Sequence, residues 1–268
     1  MTFKIATWNI NSVRLRIGLV ERFLQEAAPD ILCLQEIKCQ DDQFPYKAVK
    51  AAGYEHIHVC GQKAYHGVAT ISRHPFKDQT SKQFCGKDDA RHVLSTIDRA
   101  GGPVNVHNFY VPAGGDEPDP KVNEKFDHKL KFLREMEGWF GNGGADARSI
   151  LVGDLNIAPH ENDVWSHKQL LKVVSHTPVE VDHLEDVRKS ANWVDITRNG
   201  LGDEDKLYTW WSYRARDWSK ANKGRRLDHI WLTPDIEKAY TSVEVRRDVR
   251  GWDPKPSDHA PVIAELDL

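Results

Sequence analysis

Apolar residues alternate with polar ones, or run together in short blocks, at FKIATW (residues 3–8), DILCLQ (30–35), YEHIHV (54–59), GVATIS (67–72), HVLSTI (92–97), VNVHNFYV (104–111), SILVG (149–153), HIWL (229–232), SVEVR (242–246) and PVIAEL (261–266). Alternation marks strands with one wet face, and an unbroken run such as residues 150–152 marks a strand covered on both. Between these segments the period changes. Residues 12–27 read as a helix that opens at a Ser12 cap and stops before Pro29. Residues 119–140 carry Phe126, Leu130, Phe132, Leu133, Met136 and Trp139 at helical spacing. Shorter helices are expected over 164–174 and 180–190. Ten strands with helices interspersed irregularly predict an α/β fold: a four-layered sandwich of two mostly antiparallel sheets packed face to face, with helices outside. The loops at 113–120, 141–147 and 199–206 are too short to separate domains, so residues 1–268 are expected to form one.

Composition narrows the class. Of 268 residues, 40% are hydrophobic and 29% charged, which suits a globular chain with material for a core. The formal net charge of −3 excludes a polyanion-binding surface spread over the whole molecule, so a nucleic-acid site has to be a local patch. Cys33, Cys39, Cys60 and Cys85 form no CxxC pair and are expected to be free thiols, without zinc or a disulfide scaffold. No stretch approaches the ~18 apolar residues of a membrane span, and the chain enters a strand pattern at once, so a cytoplasmic protein is expected.

Polar residues recur where apolar strands stop. SILVGDLNIAP ends its run at Asp154 and Asn156; IATWNIN places Asn9 past a strand, ILCLQEIK places Glu36, and NFYVP ends at Tyr110. RLDHIW has Asp228 at a strand start, and SDHAPV has Asp258 and His259 just before the last strand. Any one of these suits a turn, since Asx residues close strands and a glutamate after a strand is usually solvated. Together they offer six places from which a rigid scaffold can hand side chains to one rim. The chemistry is coherent: Glu36 and Asp258 supply hard anionic oxygens and Asn9 a neutral one, which suits Mg²⁺ or Mn²⁺ better than zinc. Beside them, Asp228 can fix the tautomer of His259, Asp154 can activate water, Asn156 can donate where charge develops, and Tyr110 can donate to substrate or leaving group.

WNIN at 8–11, LQEIK at 34–38, YVP at 110–112, GDLNIAP at 153–159, TWWSYR at 209–214, RRLDHI at 225–230 and SDHAPV at 257–262 resemble, in order and spacing, the exonuclease III class of abasic-site endonucleases. The resemblance spans essentially the whole chain. It implies the four-layered sandwich of the endonuclease/exonuclease/phosphatase superfamily, with the active site at one edge. It implies that Glu36 binds Mg²⁺ (or Mn²⁺) with Asn9 nearby, that Asp154 activates water, that Asn156 and His259 steady the phosphate, and that Asp228 orients His259. Asp258 would belong to a metal or second-metal position, and Tyr110 would assist at the phosphate. The candidate metal set is therefore Asn9, Glu36, Asp154, Asn156 and Asp258, for one or two ions. The implied activities are cleavage of duplex DNA 5′ to an abasic site, 3′-to-5′ removal of nucleotides, and clearance of 3′-phosphate and related blocks. A bacterial, cytoplasmic, monomeric enzyme is implied. The chain departs from many relatives at Ile37 after the metal glutamate, at Asn11 where some have Asp, and at Ala113 where an amide is common.

YTWWSYRARDWSKANKGRR (208–226) sets Arg214, Arg216, Lys220, Lys223, Arg225 and Arg226 against one acid, Asp217, with Trp210, Trp211, Tyr213 and Trp218 interleaved. Cations meet phosphates and aromatic faces meet an unstacked sugar or base, although the same tryptophans suit inward packing. By resemblance Trp210 and Leu227 wall the pocket for a flipped abasic sugar. Arg246, Arg247 and Arg250 are expected to extend the groove, and Arg91 with Lys63, Tyr65 and His66 to line its other side. The alternative substrate for the same fold and metal is an inositol phosphate or a lipid phosphodiester. Against it stand the basic loop, the absence of an amphipathic membrane segment, and Tyr110, where secreted nucleases and lipid phosphodiesterases of the superfamily tend to have histidine.

Overall fold

All ten predicted segments form strands in the computed structural model, which describes residues 2–268. In chain order the strands are β1 (Thr2–Asn9), β2 (Ile31–Gln35), β3 (His56–Cys60), β4 (Val68–Ser72), β5 (Phe76–Thr80), β6 (His92–Arg99), β7 (Gly102–Tyr110), β8 (Ser149–Asp154), β9 (Val194–Asp195), β10 (Trp210–Trp211), β11 (Gly224–Arg225), β12 (Asp228–Leu232), β13 (Tyr240–Val245) and β14 (Val262–Asp267). The α-helices are α1 (Ile17–Glu26), α2 (Tyr46–Ala51), α3 (Glu124–Trp139), α4 (His167–Leu170), α5 (Pro178–Ser190), α6 (Ile196–Leu201) and α7 (Trp218–Ala221). Two six-stranded sheets run β13-β14-β1-β2-β4-β3 and β5-β6-β7-β8-β12-β9, and β10 with β11 makes a separate ribbon. Each large sheet contains one parallel pair, β1 with β2 and β7 with β8; its other neighbours are antiparallel.

The period of two sorts the side chains between layers. Phe3, Ile5, Ile31 and Cys33 of the first sheet meet Val104, Val106, Ile150, Val152, Ile230 and Leu232 of the second in a shared core. The alternate residues Ala6, Trp8, Leu32 and Leu34 face outward under Leu19, Val20, Phe23 and Leu24 of α1. On the far side Phe109, Leu151 and Trp231 are covered by Phe132, Leu133 and Met136 of α3 and by Leu184 and Val187 of α5. Strands β2, β8 and β12 are thus buried on both faces, which is why they read as unbroken apolar runs. A polar bridge joins the two sheets: Gln35 Nε2 donates to Thr7 Oγ1 at 3.0 Å and to Asn108 Oδ1 at 2.7 Å, and Asn108 Nδ2 donates to the carbonyls of Leu34 and Ala69. It lies one residue before Glu36 and two before Tyr110, fixing one sheet against the other directly beneath those residues.

Three helix boundaries differ from the pattern. Helix α1 begins at Ile17, because Ser12, at φ +88°, spends its backbone N–H on the Glu36 carbonyl instead of opening a helix. Helix α3 begins at Glu124 with Asn123 as its cap, the side chain accepting from Lys125 N, and the preceding residues form a turn. Within 164–174 only His167–Leu170 is α-helical, since Val164 bridges to Arg225. By contrast α5 carries a reciprocal capping box, Thr177 with Glu180, and Pro178 in its first turn. Strand β5 went unpredicted because FKDQT is a largely exposed edge with almost no apolar signal. No helix among the described residues is long and apolar enough to cross a membrane.

Candidate active site

A parallel pair ends two neighbouring strands at the same edge, and here both pairs end at one edge of the sandwich. Asn9 closes β1 and Glu36 follows β2; Tyr110 closes β7 and Asp154 closes β8. The antiparallel neighbours begin where these end, so Asp228, first in β12, lies opposite Asp154, and the 257–260 loop leads into β14 beside β1. Gly153 makes the junction possible: at φ +144° any Cβ would overlap the Phe109 carbonyl across the parallel pairing. Glu36 (φ +50°), Lys38 (φ +52°), Asn11 (φ +47°) and Asn156 (φ +55°) all adopt left-handed backbone, the kind of strain that concentrates at functional sites.

The side chains form two hydrogen-bonded groups, Tyr110–Glu36–Asn9–Asp154 and His259–Asp228, that meet where Asp154 faces His259. Asn9 Nδ2 donates to Glu36 Oε1 at 2.9 Å and to Asp154 Oδ2 at 2.8 Å. Tyr110 Oη donates to the same Glu36 oxygen at 2.9 Å. Asp154 Oδ1 accepts from the Asn156 backbone at 2.9 Å, and Asp154 Oδ2 lies 3.7 Å from His259 Nε2. His259 Nδ1 meets Asp228 Oδ2 at 2.8 Å. Asn156 Nδ2 donates to the Val111 carbonyl at 2.9 Å, which leaves its second amide hydrogen available. Below the loop, fully buried Lys129 reaches the Asn156 carbonyl at 2.8 Å and Glu180 at 2.5 Å, pinning this turn to α3 and α5.

Burial and charge set the protonation states. Burial pushes the His259 imidazolium down, but the carboxylates of Asp228 and Asp154 overcome it and lift the pKa to about 10. Asp154 is raised, burial outweighing the neighbouring imidazolium. Burial also pulls Glu36 upward, yet Lys38 and Asn9 reverse it and the group lies below its ordinary value. Tyr110 is raised well above 10 by burial and by the charges of Glu36 and Asp154, so its hydroxyl stays a donor.

Glu36 offers a hard anionic oxygen of the type that suits Mg²⁺, while Asn9 faces it through Nδ2 and accepts the Asn11 N–H at its Oδ1. Asp154, Asp228 and His259 also offer ligand atoms within 4.8 Å of one another. That trio already contains its cation, because the two carboxylates hold a proton on His259, and it fits proton chemistry better than a metal. Asp258 has both oxygens engaged, by Asn11 Nδ2 at 3.0 Å and by Trp210 Nε1 at 2.9 Å, and Asn11 stands between it and Lys38.

The remaining candidates divide. Trp210 lines a cleft of ≈ 580 Å³ with Trp165, Trp218, Arg214, Lys223 and Arg225. Arg225 stacks over the Trp210 ring at 5.3 Å. Leu227, 5% exposed, packs with Trp210 in a small cluster and does not line that cleft. Arg214 and Arg216 are exposed. Arg226 belongs to the interior instead: it pairs with Asp163 at 2.9 Å and Asp195 at 2.7 Å and is unavailable to phosphate. Trp211 is likewise packed inward against Trp218 and Tyr208. Arg91, 7% exposed, pairs with Asp89, donates to the Tyr110 carbonyl at 3.2 Å and lies 4.9 Å from the Tyr110 ring centre, so it clamps the tyrosine from behind. A larger cleft of ≈ 720 Å³ beside α5 shares none of the residues gathered at the edge. Sequence reasoning gave no role to Lys38 or Lys129. The only signal for Lys38 is its spacing two residues after Glu36; for Lys129, a lysine on the apolar face of α3.

Known proteins share this fold. The profile of the Endonuclease/Exonuclease/phosphatase family matches residues 6–259. The exodeoxyribonuclease III of Haemophilus influenzae is 30% identical over 278 residues, covering 98% of this chain and 99% of its own. Among solved structures, the 3′ phosphatase NExo from Neisseria bound to a product DNA hairpin superposes with a TM-score of 0.89 at 30% identity, covering 99% of this chain and 100% of that one. An AP endonuclease from Archaeoglobus fulgidus superposes equally well, with a TM-score of 0.89, 30% identity and the same coverage. The chain belongs to the endonuclease/exonuclease/phosphatase family, within its exonuclease III and AP endonuclease branch.

Proposed function

We propose that the chain is a Mg²⁺-dependent DNA repair phosphodiesterase that cuts duplex DNA 5′ to abasic sites, trims 3′ ends and clears blocked 3′ termini, acting as a monomer. The observation that carries this is the gathering of Glu36, Asn9, Asp154, His259 and Asp228 at one edge, with a carboxylate at one end and an imidazolium at the other. Asp154 Oδ2 and His259 Nε2 lie 3.7 Å apart with no hydrogen bond between them. Asp154, its pKa raised, accepts the proton of the attacking water. His259 Nε2–H and the spare Asn156 amide hydrogen donate to the non-bridging phosphoryl oxygens as charge builds. Asp228 orients the His259 imidazolium through Nδ1–H and stabilises its charge, so that Nε2–H is presented. Tyr110, protonated, and Asn9 fix the Glu36 carboxylate. Bound at Glu36, Mg²⁺ supplies Lewis-acid charge to the scissile phosphate.

The Trp210 and Arg225 wall with the exposed Arg214 and Arg216 supports DNA as substrate: cations track phosphates, and a flat aromatic face receives an extruded sugar, which costs less to flip when its base is missing. The test is a labelled duplex carrying one abasic analogue, incubated with Mg²⁺, with EDTA, and with Glu36→Ala and Asp154→Asn proteins, beside an intact duplex. Metal-dependent incision 5′ to the lesion, lost in both variants, is the expected result. Wild-type protein that binds and cuts neither duplex while hydrolysing a phosphoinositide overturns the reading.

A further inference from the structure

The carboxylate at the metal end of the site already has a cation. Glu36 Oε1 is saturated by Asn9 and Tyr110, so its other oxygen, Oε2, is the one open to an ion, and Lys38 Nζ lies 2.7 Å from it. The same ammonium donates to Asn11 Oδ1 at 2.5 Å, and Asn11 in turn donates to Asp258. The backbone beneath is held fast: Lys38 N–H bonds the His66 carbonyl, Ile37 N–H the Gly67 carbonyl, and Ser12 N–H the Glu36 carbonyl. With both residues in left-handed backbone and buried Ile37 between them, Glu36 and Lys38 are turned to the same side. The Lys38 side chain is 30% exposed, so it has room to swing out while the turn stays still.

Charge explains why this matters in a chain with Asn11. Its neutral amide gives the lysine an acceptor but no counter-charge, so the ammonium's direct ionic partner is Glu36. Lys38 and Glu36 together are neutral, and a divalent cation approaching Oε2 meets an ammonium rather than a bare carboxylate.

We propose that Lys38 is a resident counter-cation of the metal site, displaced from Glu36 Oε2 when a divalent ion binds, so that Lys38 sets the affinity for the ion by exchange. This rests on the reading of Glu36 as the metal ligand.

The experiment is Mn²⁺ binding without DNA, read from the electron paramagnetic resonance signal of free Mn²⁺, for wild type and the K38Q, K38M, K38R and E36Q variants, with circular dichroism to confirm folding. Removing the competing charge in K38Q and K38M is expected to tighten Mn²⁺ by about tenfold or more, while K38R, which keeps the charge, stays within about threefold of wild type. Melting without metal supplies a second readout: K38Q and K38M leave Glu36 uncompensated, so they melt below wild type and gain more from added Mn²⁺. Neutral variants that bind Mn²⁺ no more tightly than wild type, with E36Q weakened, overturn the role of Lys38 and leave Glu36 as ligand. An E36Q protein that binds as wild type overturns both readings.

Discussion

Asp228→Asn tests what the aspartate supplies to His259. Their contact is 2.8 Å and buried, so the charge centres sit roughly 4 Å apart; at an effective dielectric near 20 they attract by about 4 kcal/mol, which corresponds to about three pKa units. In the wild type His259 titrates at about 10. Without the Asp228 charge it falls to about 7, held there by Asp154 and Asp258, and at pH ~8 roughly one imidazole in ten keeps its proton. Losing a preorganised donor to the phosphoryl oxygens costs about 10²–10³ in kcat. The deficit of the variant is therefore expected to depend on pH, large above pH ~8 and at least about tenfold smaller near pH ~6. The assay is the wild-type to D228N ratio of kcat for incision of a saturating abasic duplex across that range, at fixed Mg²⁺ and ionic strength. Stability supplies a check of sign. The folded pKa lies above the unfolded one, so the stabilisation is fully present below pH ~6.5 and is lost as pH rises toward 10; wild type should shed melting temperature across that window more steeply than D228N. A ratio that stays flat with pH would refute the argument, because Asp228 would then supply position without charge.

Tyr110→Phe removes one hydrogen bond to Glu36 and is expected to lower kcat about tenfold while leaving the alkaline limb of the pH profile in place. A shifted limb would mean that a phenolate, contrary to its raised pKa, takes part. Lys129→Met strands the buried Glu180 carboxylate and should cost about 3–5 kcal/mol in urea melts; a loss below about 1 kcal/mol would show that the pair adds nothing over an apolar contact. Arg214→Ala and Arg216→Ala should weaken binding to lesion and intact duplexes alike and each lower the slope of log K against log salt by about one; unchanged slopes would remove these arginines from the phosphate contacts.

Much of the fold and of the site was legible because the architecture makes strands abut both a core and an edge. A strand buried on both faces is mostly apolar until it reaches the edge of the sheet, so an acid there, Glu36 just past β2 or Asp154 at the end of β8, is conspicuous. What stayed hidden depends on direction rather than type. Arg226 and Arg225 are adjacent in a basic run, yet one pairs inside with Asp163 and Asp195 while the other stacks on Trp210; composition cannot tell them apart. Trp210 and Trp211 alternate in the same way, one half-buried beneath Arg225 and the other buried against Trp218 and Tyr208. The bridge from Gln35 to Asn108 was invisible for a different reason, since a polar residue within a strand reads as a wet face until the opposing sheet supplies its partner.

The position of the site follows from where the two parallel pairs lie. An antiparallel pair sends one strand out as the other comes in, so it offers an edge one strand end and one strand start. A parallel pair offers two ends side by side, here Asn9 beside the residue before Glu36, and Tyr110 beside Asp154. Stacking the sheets so that both pairs finish on one edge brings these ends together, and the Gln35–Asn108 bridge fixes the distance between them. The antiparallel strands flanking each pair then add their starting segments, which bring Asp228 and His259. The candidate acid, base and ion-binding carboxylate are thereby held at, or within a few residues of, the ends of paired strands, the rigidity that donors aimed at a developing charge require. The loops after these ends are free to vary, and the 208–226 segment, whose interior half is packed and whose exposed half is basic, is where the chain would adjust which DNA it accepts.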